Sequence, residues 1–114
     1  MPLLKITTNR EIDTTRRSEL LRKASQQVAD LLGKPERYVM VTLEINTDMI
    51  FGGDTSPVSY LELKSIGLPE ERTTELSNFL CELIKDQLGI PAERTYIEFS
   101  NAQRHLWGWN SATF

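Results

Sequence analysis

Apolar residues recur at helical spacing in two stretches of the chain. Leu20, Leu21, Ala24, Val28, Leu31 and Leu32 fall on one stripe and predict a helix over roughly residues 15–32. Its opposite face carries Arg16, Arg17, Glu19, Arg22, Lys23, Gln26 and Gln27. Leu76, Phe79, Leu80, Leu83, Ile84 and Leu88 form a second stripe and predict a helix over roughly residues 69–88. There Pro69 suits the first helical position, and Glu70 and Glu71 complement the positive end of the helix dipole. Outside these helices the period changes to two. In residues 39–46 one face is Val39, Val41, Leu43 and Ile45, and the other is Met40, Thr42, Glu44 and Asn46. In residues 95–100 Thr95, Ile97 and Phe99 oppose Tyr96, Glu98 and Ser100, and within residues 58–66 Leu61 and Leu63 oppose Tyr60, Glu62 and Lys64. Residues 3–8 also read as a strand.

The chain repeats itself once. Leu31-Leu32-Gly33-Lys34-Pro35-Glu36-Arg37-Tyr38-Val39-Met40-Val41 is similar to Gln87-Leu88-Gly89-Ile90-Pro91-Ala92-Glu93-Arg94-Thr95-Tyr96-Ile97. Each segment describes one event: a helix ends at a glycine suited to the left-handed C′ position, proline forbids its continuation, and a strand follows. Two β-α-β units related by a pseudo-twofold account for this order. The fold class is therefore α+β, with a four-stranded sheet and both helices packed on one face. The second sheet face is half polar and the sheet has open edges. Closing several copies around an axis would remove both problems, so oligomerisation is expected. The longest irregular stretch is residues 46–57, with Gly52-Gly53 at its centre.

At 114 residues the chain reads as one domain over 1–114, without an interdomain linker. A net charge of −3 gives no basic face for displacing counterions, so nucleic acid is not an expected partner. No run approaches the ~20 apolar residues of a membrane-spanning helix, and no membrane partner is expected. Met1-Pro2-Leu3-Leu4-Lys5-Ile6 lacks the basic and long apolar regions of a secretory signal, which predicts a cytoplasmic protein and leaves export by another route open. One cysteine, Cys81, excludes an internal disulfide and a cysteine-based zinc site, and one histidine, His105, excludes a histidine metal cluster within one chain. No glycine-rich phosphate loop or nucleophile elbow is present.

Pro2 is the most informative candidate residue. Excision of Met1 by methionine aminopeptidase would leave a secondary amine at the chain start, and burial or a nearby cation would lower its pKa and make it a general base near neutrality. The plainer alternative is a proline that merely precedes a strand. Lys34 lies in the first helix-to-strand turn, where the repeat carries Ile90 instead. It is either a cation favoured near a helix C-terminus or a receiver for a substrate carboxylate. Tyr96 sits on the mixed strand face with Glu98. Trp107, Trp109 and Phe114 form an aromatic end that packs on an edge or neighbour, or walls a pocket. Cys81 reads as a buried inert thiol, and His105 as structural or solvated.

Several separated motifs together resemble the macrophage migration inhibitory factor family of the tautomerase superfamily. They are Met1-Pro2-Leu3, Thr8-Asn9, Gly33-Lys34-Pro35 with Tyr38, Phe51-Gly52-Gly53, Ser65-Ile66-Gly67, Tyr96-Ile97, and Gly108-Trp109-Asn110 followed by Thr113-Phe114. The resemblance spans essentially the whole chain, with one small insertion before the first helix and one deletion near the second. It implies a homotrimer with three sheets around a central solvent channel and active sites between subunits. It also implies keto–enol tautomerisation of phenylpyruvate-like aryl 2-oxo acids and of dopachrome-type compounds, without a cofactor. On the matching positions Pro2 would be the catalytic base. Lys34 and the backbone amide of Ile66 would hold the carboxylate or enolate oxygen, and Tyr96 of a neighbouring subunit would close the pocket. Leu3, Tyr38, Ser65, Trp107, Trp109 and Phe114 would line it.

The departures from the family pattern bear on activity. Glu98 stands where animal members carry an asparagine, and a carboxylate there would repel an acidic substrate or raise the Pro2 pKa. Lys64 stands in place of a histidine and adds positive charge. The family's CxxC is replaced by Val58-Ser59-Tyr60-Leu61, which predicts no thiol–disulfide oxidoreductase activity. The arginine and aspartate of receptor mimicry in the vertebrate cytokine are not clearly matched, with Ile12 or Asp13 and Asn46 in their places. A cytokine-like receptor-binding protein with a vestigial pocket is the alternative function, and the residues do not support it.

Overall fold

The computed structural model describes residues Met1–Phe114 and contains the two predicted β-α-β units. The first comprises β1 (Leu3–Thr8), α1 (Thr14–Leu32) and β2 (Met40–Glu44). The second comprises β3 (Ser59–Ile66), α2 (Thr73–Leu88) and β4 (Thr95–Ala102). The four strands form one sheet in the order β2-β1-β3-β4. Within each unit the strands pair in parallel, and β1 and β3 join the units antiparallel, so the inner strands are exchanged by the pseudo-twofold.

Strand alternation decides what is buried. Leu4 and Ile6 of β1 and Leu61 and Leu63 of β3 point to one face, where α1 offers Leu20, Ala24 and Val28 and α2 offers Leu76, Leu80, Leu83, Ile84 and Leu88. These twelve belong to one contiguous cluster of fourteen that also takes in Leu68 and Ile90. Each fully buried Leu or Ile contributes roughly 1.5–3 kcal/mol relative to exposure. The polar groups trapped among them are satisfied. Thr8 Oγ1 donates to the Val58 carbonyl at 2.8 Å, and Ser59 Oγ donates to Thr95 Oγ1 at 2.9 Å.

Both helices end as the repeat predicts. Gly33 and Gly89 take left-handed φ values of 64° and 67°, and their N–H groups bond back to the last turn. A single 3-10 turn (residues 36–38 and 92–94) then separates each proline from its strand, which moves the start of β2 to Met40. α1 begins where Asp13 accepts the Arg16 N–H at 2.8 Å. The second helix departs from expectation at its start. Pro69 is not its first residue: residues 70–72 form a separate 3-10 turn and α2 opens at Thr73. Arg72, at φ −107° and ψ 12°, breaks the helical path, and its guanidinium donates to the Leu31 carbonyl of α1 at 3.2 Å and to Glu75 at 2.8 Å. A tertiary contact thus overrides the local preference of proline and two glutamates for a helix start.

Beyond β4 the chain makes a small hairpin of β5 (Gly108–Trp109) and β6 (Ala112–Thr113). Its two turn residues, Asn110 and Ser111, both have positive φ, which is the geometry of a type I′ turn and one that asparagine tolerates. Residues 46–57 carry a second tight turn, where Phe51 and Asp54 exchange main-chain hydrogen bonds around Gly52-Gly53.

Candidate functional site

The hairpin swings the aromatic end of the chain back across the start of β1. Together they enclose a cleft of about 390 Å³ lined by Pro2, Leu3, Tyr38, Trp107, Trp109 and Phe114, with Met1, Arg37, Val39, Met40 and Gly108 completing it. Its back wall is Pro2, whose side chain is fully buried. The Pro2 carbonyl accepts the Met40 N–H at 3.0 Å, so the pairing of β1 with β2 fixes the chain start one residue before the strand begins. The side wall is aromatic. Trp109 and Phe114 stack with centroids 5.4 Å apart, and Tyr38 meets both edge-on at 5.5 Å and 6.1 Å. Arg104 Nε donates to the Phe114 carbonyl at 3.1 Å and pins this wall.

The electrostatics at the chain start are one-sided. Burial first, then the positive charges of Lys34 and Arg104, hold the Met1 amine below the ordinary α-amino value. No acidic side chain lines the cleft. In the sequence as it stands Pro2 nitrogen belongs to the Met1–Pro2 peptide bond and has no basic lone pair. Removal of Met1 would turn the same position into an amine in the same apolar, cation-flanked setting.

The other candidate residues take different places. Leu3 pairs with Lys64 across β1 and β3, so the register carries Ser65 to the level of Pro2 and Ile66 past it. Both are buried, and neither lines the cleft. Lys64 itself is ion-paired to Glu62 at 3.1 Å on the outer sheet face. Tyr96 lies at the far end of the sheet, in register with Tyr60, which itself pairs with Thr7. It is 63% exposed and packs on Phe51 with centroids 4.6 Å apart, so within one chain it does not reach Pro2. Glu98 is exposed on the outer face, where it accepts the Tyr60 hydroxyl at 3.3 Å. Burial, then Glu62 and Glu98, push the Tyr60 phenol up.

Cys81 is half-buried rather than buried, because it lies on the flank of the α2 stripe, and burial pushes its thiol up. His105 is exposed. No three His, Cys, Asp or Glu side chains gather closely enough to hold a metal ion. A larger depression of about 430 Å³ lies around Asn9, Asn46, Asp48 and Thr55, but it is open and polar, and Asp48 is its single titratable group.

Sequence reasoning missed Arg37, which lines the cleft, and Arg104, which braces its aromatic wall from outside the lining. An arginine in a turn reads as a solvated charge, and no spacing marked either one. The tyrosine beside Arg37 was the available signal, since a guanidinium next to an aromatic ring often stacks on it. Its guanidinium carbon lies 4.8 Å from the Tyr38 ring centroid.

A β-α-β-β-α-β subunit that sets a buried N-terminal proline in an aromatic cleft defines a protein of the tautomerase-superfamily fold. The model of the family described as macrophage migration inhibitory factor matches residues 1–114. A homologue of that factor from Trichinella spiralis is 36% identical over 115 residues, covering 100% of both chains. One from Brugia malayi is 39% identical over 99 residues, covering 85% of each. Among solved structures, the Prochlorococcus marinus homologue superposes with a TM-score of 0.92 at 45% identity, covering 98% of each chain. The Trichinella spiralis factor gives 0.90 at 35% identity, over 98% of this chain and 99% of that one. The chain belongs to the macrophage migration inhibitory factor family.

Proposed function

We propose that this protein is a cofactor-independent keto–enol tautomerase acting on phenylpyruvate-like aryl 2-oxo acids, and on dopachrome-type compounds, with Pro2 as general base once Met1 is removed. The observation that carries this reading is the burial of Pro2 at the back of an aromatic cleft whose nearby charges are cations. A neutral Pro2 nitrogen takes the proton from the carbon beside the carbonyl. The electron pair of that C–H bond moves into the carbon–carbon bond, and the carbonyl π pair moves onto oxygen. By the resemblance Lys34 and the Ile66 N–H, which one copy leaves outside the cleft lining, would stabilise the resulting enolate; the proton held on Pro2 then passes to oxygen to give the enol, and the reverse path returns the ketone. The aromatic wall holds the aryl ring and excludes water.

The site is incomplete in one copy, which supports the homotrimer. Met40, Leu106 and Trp109 are exposed at the Pro2 end of the sheet, while Ile50 and Tyr96 are exposed at the other. Unlike apolar surfaces at opposite ends suit a head-to-tail contact, which makes a closed ring when the rotation closes. Tyr96 of a neighbouring copy would then cover the cleft, and the outer sheet faces would line a central channel. The test is phenylpyruvate ketonisation by protein whose intact mass shows Met1 gone, beside protein that retains it. Turnover by the first and none by the second is expected. Equal rates would reject Pro2 as the base.

A further inference from the structure

The cations near the cleft stand at two separate stations. Lys34 and Arg104 lie outside its lining and act on the amine at the chain start, whereas Arg37 is the one cation among the lining residues. Its guanidinium is instead parked 4.8 Å over the Tyr38 ring, on the rim of the cleft, with the Trp109–Phe114 stack meeting the same tyrosine. None of the three cations is spent in an ion pair, since the ion pairs of the chain are Lys64–Glu62 and Arg72–Glu75. Glu36, next to Arg37 in sequence, turns its carboxylate to the Ser25 hydroxyl at 2.9 Å. A guanidinium laid on an aromatic ring keeps its planar fork of N–H donors preorganised for an oxyanion. The carboxylate of a 2-oxo acid occupies one station, beside the proton-transfer site. Arg37 is left without an anion.

We infer that Arg37 is a specificity residue for a second anionic group, and that the preferred substrate is an aryl 2-oxo acid bearing an acidic substituent, such as a carboxylate, on the far side of its ring. This inference rests on the tautomerase reading and narrows it. A monoanionic phenylpyruvate fills the aromatic wall and the inner station only. The dianion also reaches the rim, where solvent keeps the added contact modest.

The experiment compares 4-carboxyphenylpyruvate with its neutral isostere, 4-carbamoylphenylpyruvate, on Met1-free protein. The expected ratio of kcat/KM is about fivefold in favour of the carboxylate at low ionic strength, the upper end for a solvent-exposed charge pair, and it shrinks as salt is added. Arg37→Ala brings the ratio to about one, and Arg37→Lys restores part of it. Each ratio is taken within a single variant, so a loss of folded protein cancels. A wild-type ratio of one or below, or a preference that survives Arg37→Ala, overturns the inference. Should neither compound turn over, the tautomerase reading fails separately, and quenching of tryptophan fluorescence by the same pair reads the Kd ratio in its place. A carboxylate preference in binding that Arg37→Ala abolishes then still supports the anion station, and equal Kd values overturn it.

Discussion

Arg94→Ala tests how the far end of the sheet is held. Arg94 Nε donates to the Pro57 carbonyl at 3.2 Å, Nη1 to Phe51 at 3.0 Å, and Nη2 to Asp54 and Ser56, both at 3.0 Å. Its guanidinium carbon also lies 5.1 Å from the Phe51 ring centroid. One side chain therefore ties down most of the irregular stretch before β3, including the Gly52-Gly53 turn. Hydrogen bonds to a charged group contribute about 1.5–3 kcal/mol each where water is excluded. Most of these acceptors lie at the solvent edge, so about 0.5–1 kcal/mol each is the appropriate range, giving a loss of about 3 kcal/mol for the set. At this chain length that lowers Tm by roughly 12 °C. Arg94→Lys should recover less than half, because an ammonium cannot reach carbonyls spread over this loop from one position. Thermal unfolding followed by circular dichroism gives the global loss. Amide hydrogen exchange over residues 51–58 gives the local one, and Tyr96 loses the support of the Phe51 ring with it. Wild-type melting together with unchanged exchange in that segment would refute the account.

Four further outcomes follow from the structure. Leu80→Ala, at a position with no exposure in the core cluster, should cost about 2–5 kcal/mol in urea unfolding. Gly33→Ala should cost about 1 kcal/mol although nothing lies within 4 Å of the added methyl, because the whole penalty is a side chain forced to φ 64°; Gly33→Asn should cost less. In protein that retains Met1, Lys34→Ala should raise the amine pKa measured by NMR titration, since a cation that favours the neutral form is lost, and Arg104→Ala should raise it by less. Burial is the largest cause, so part of the depression persists in both variants. In Met1-free protein a base must be neutral to act, so turnover is lost as pH falls through its pKa. Lys34→Ala should move that acidic limb of kcat/KM to higher pH.

Much of this architecture was legible because it rests on periodicity and on two residue types. The stripes of the helices and the alternation of the strands survive in the structure with the same faces buried, and the Gly-x-Pro repeats mark both helix ends. What could not be read depends on contacts distant in sequence. The start of α2 is decided by Arg72 reaching the end of α1, against a local pattern that favours an earlier start. The terminal hairpin has strands of two residues each, too short for any period, and its only signal was an asparagine in the turn. Pro2, Tyr38, Trp109 and Phe114 could be named singly, and the hairpin is what gathers them. Tyr96 could be named as well, yet the strand register places it at the level of Tyr60 and Thr7, away from Pro2 within one chain.

The anchoring of the first residues has a consequence for maturation. Met40 holds the main chain through Pro2, and Met1 takes part in no main-chain hydrogen bond. Trimming Met1 would therefore break no main-chain hydrogen bond and take away only a half-buried side chain at the cleft. On the proposed mechanism, full-length and trimmed molecules would share one fold while differing in reactivity. A preparation could look uniform by every conformational measure and still be a blend of dormant and competent copies. Specific activity would then report the completeness of processing in the expression host before it reported anything about the cleft.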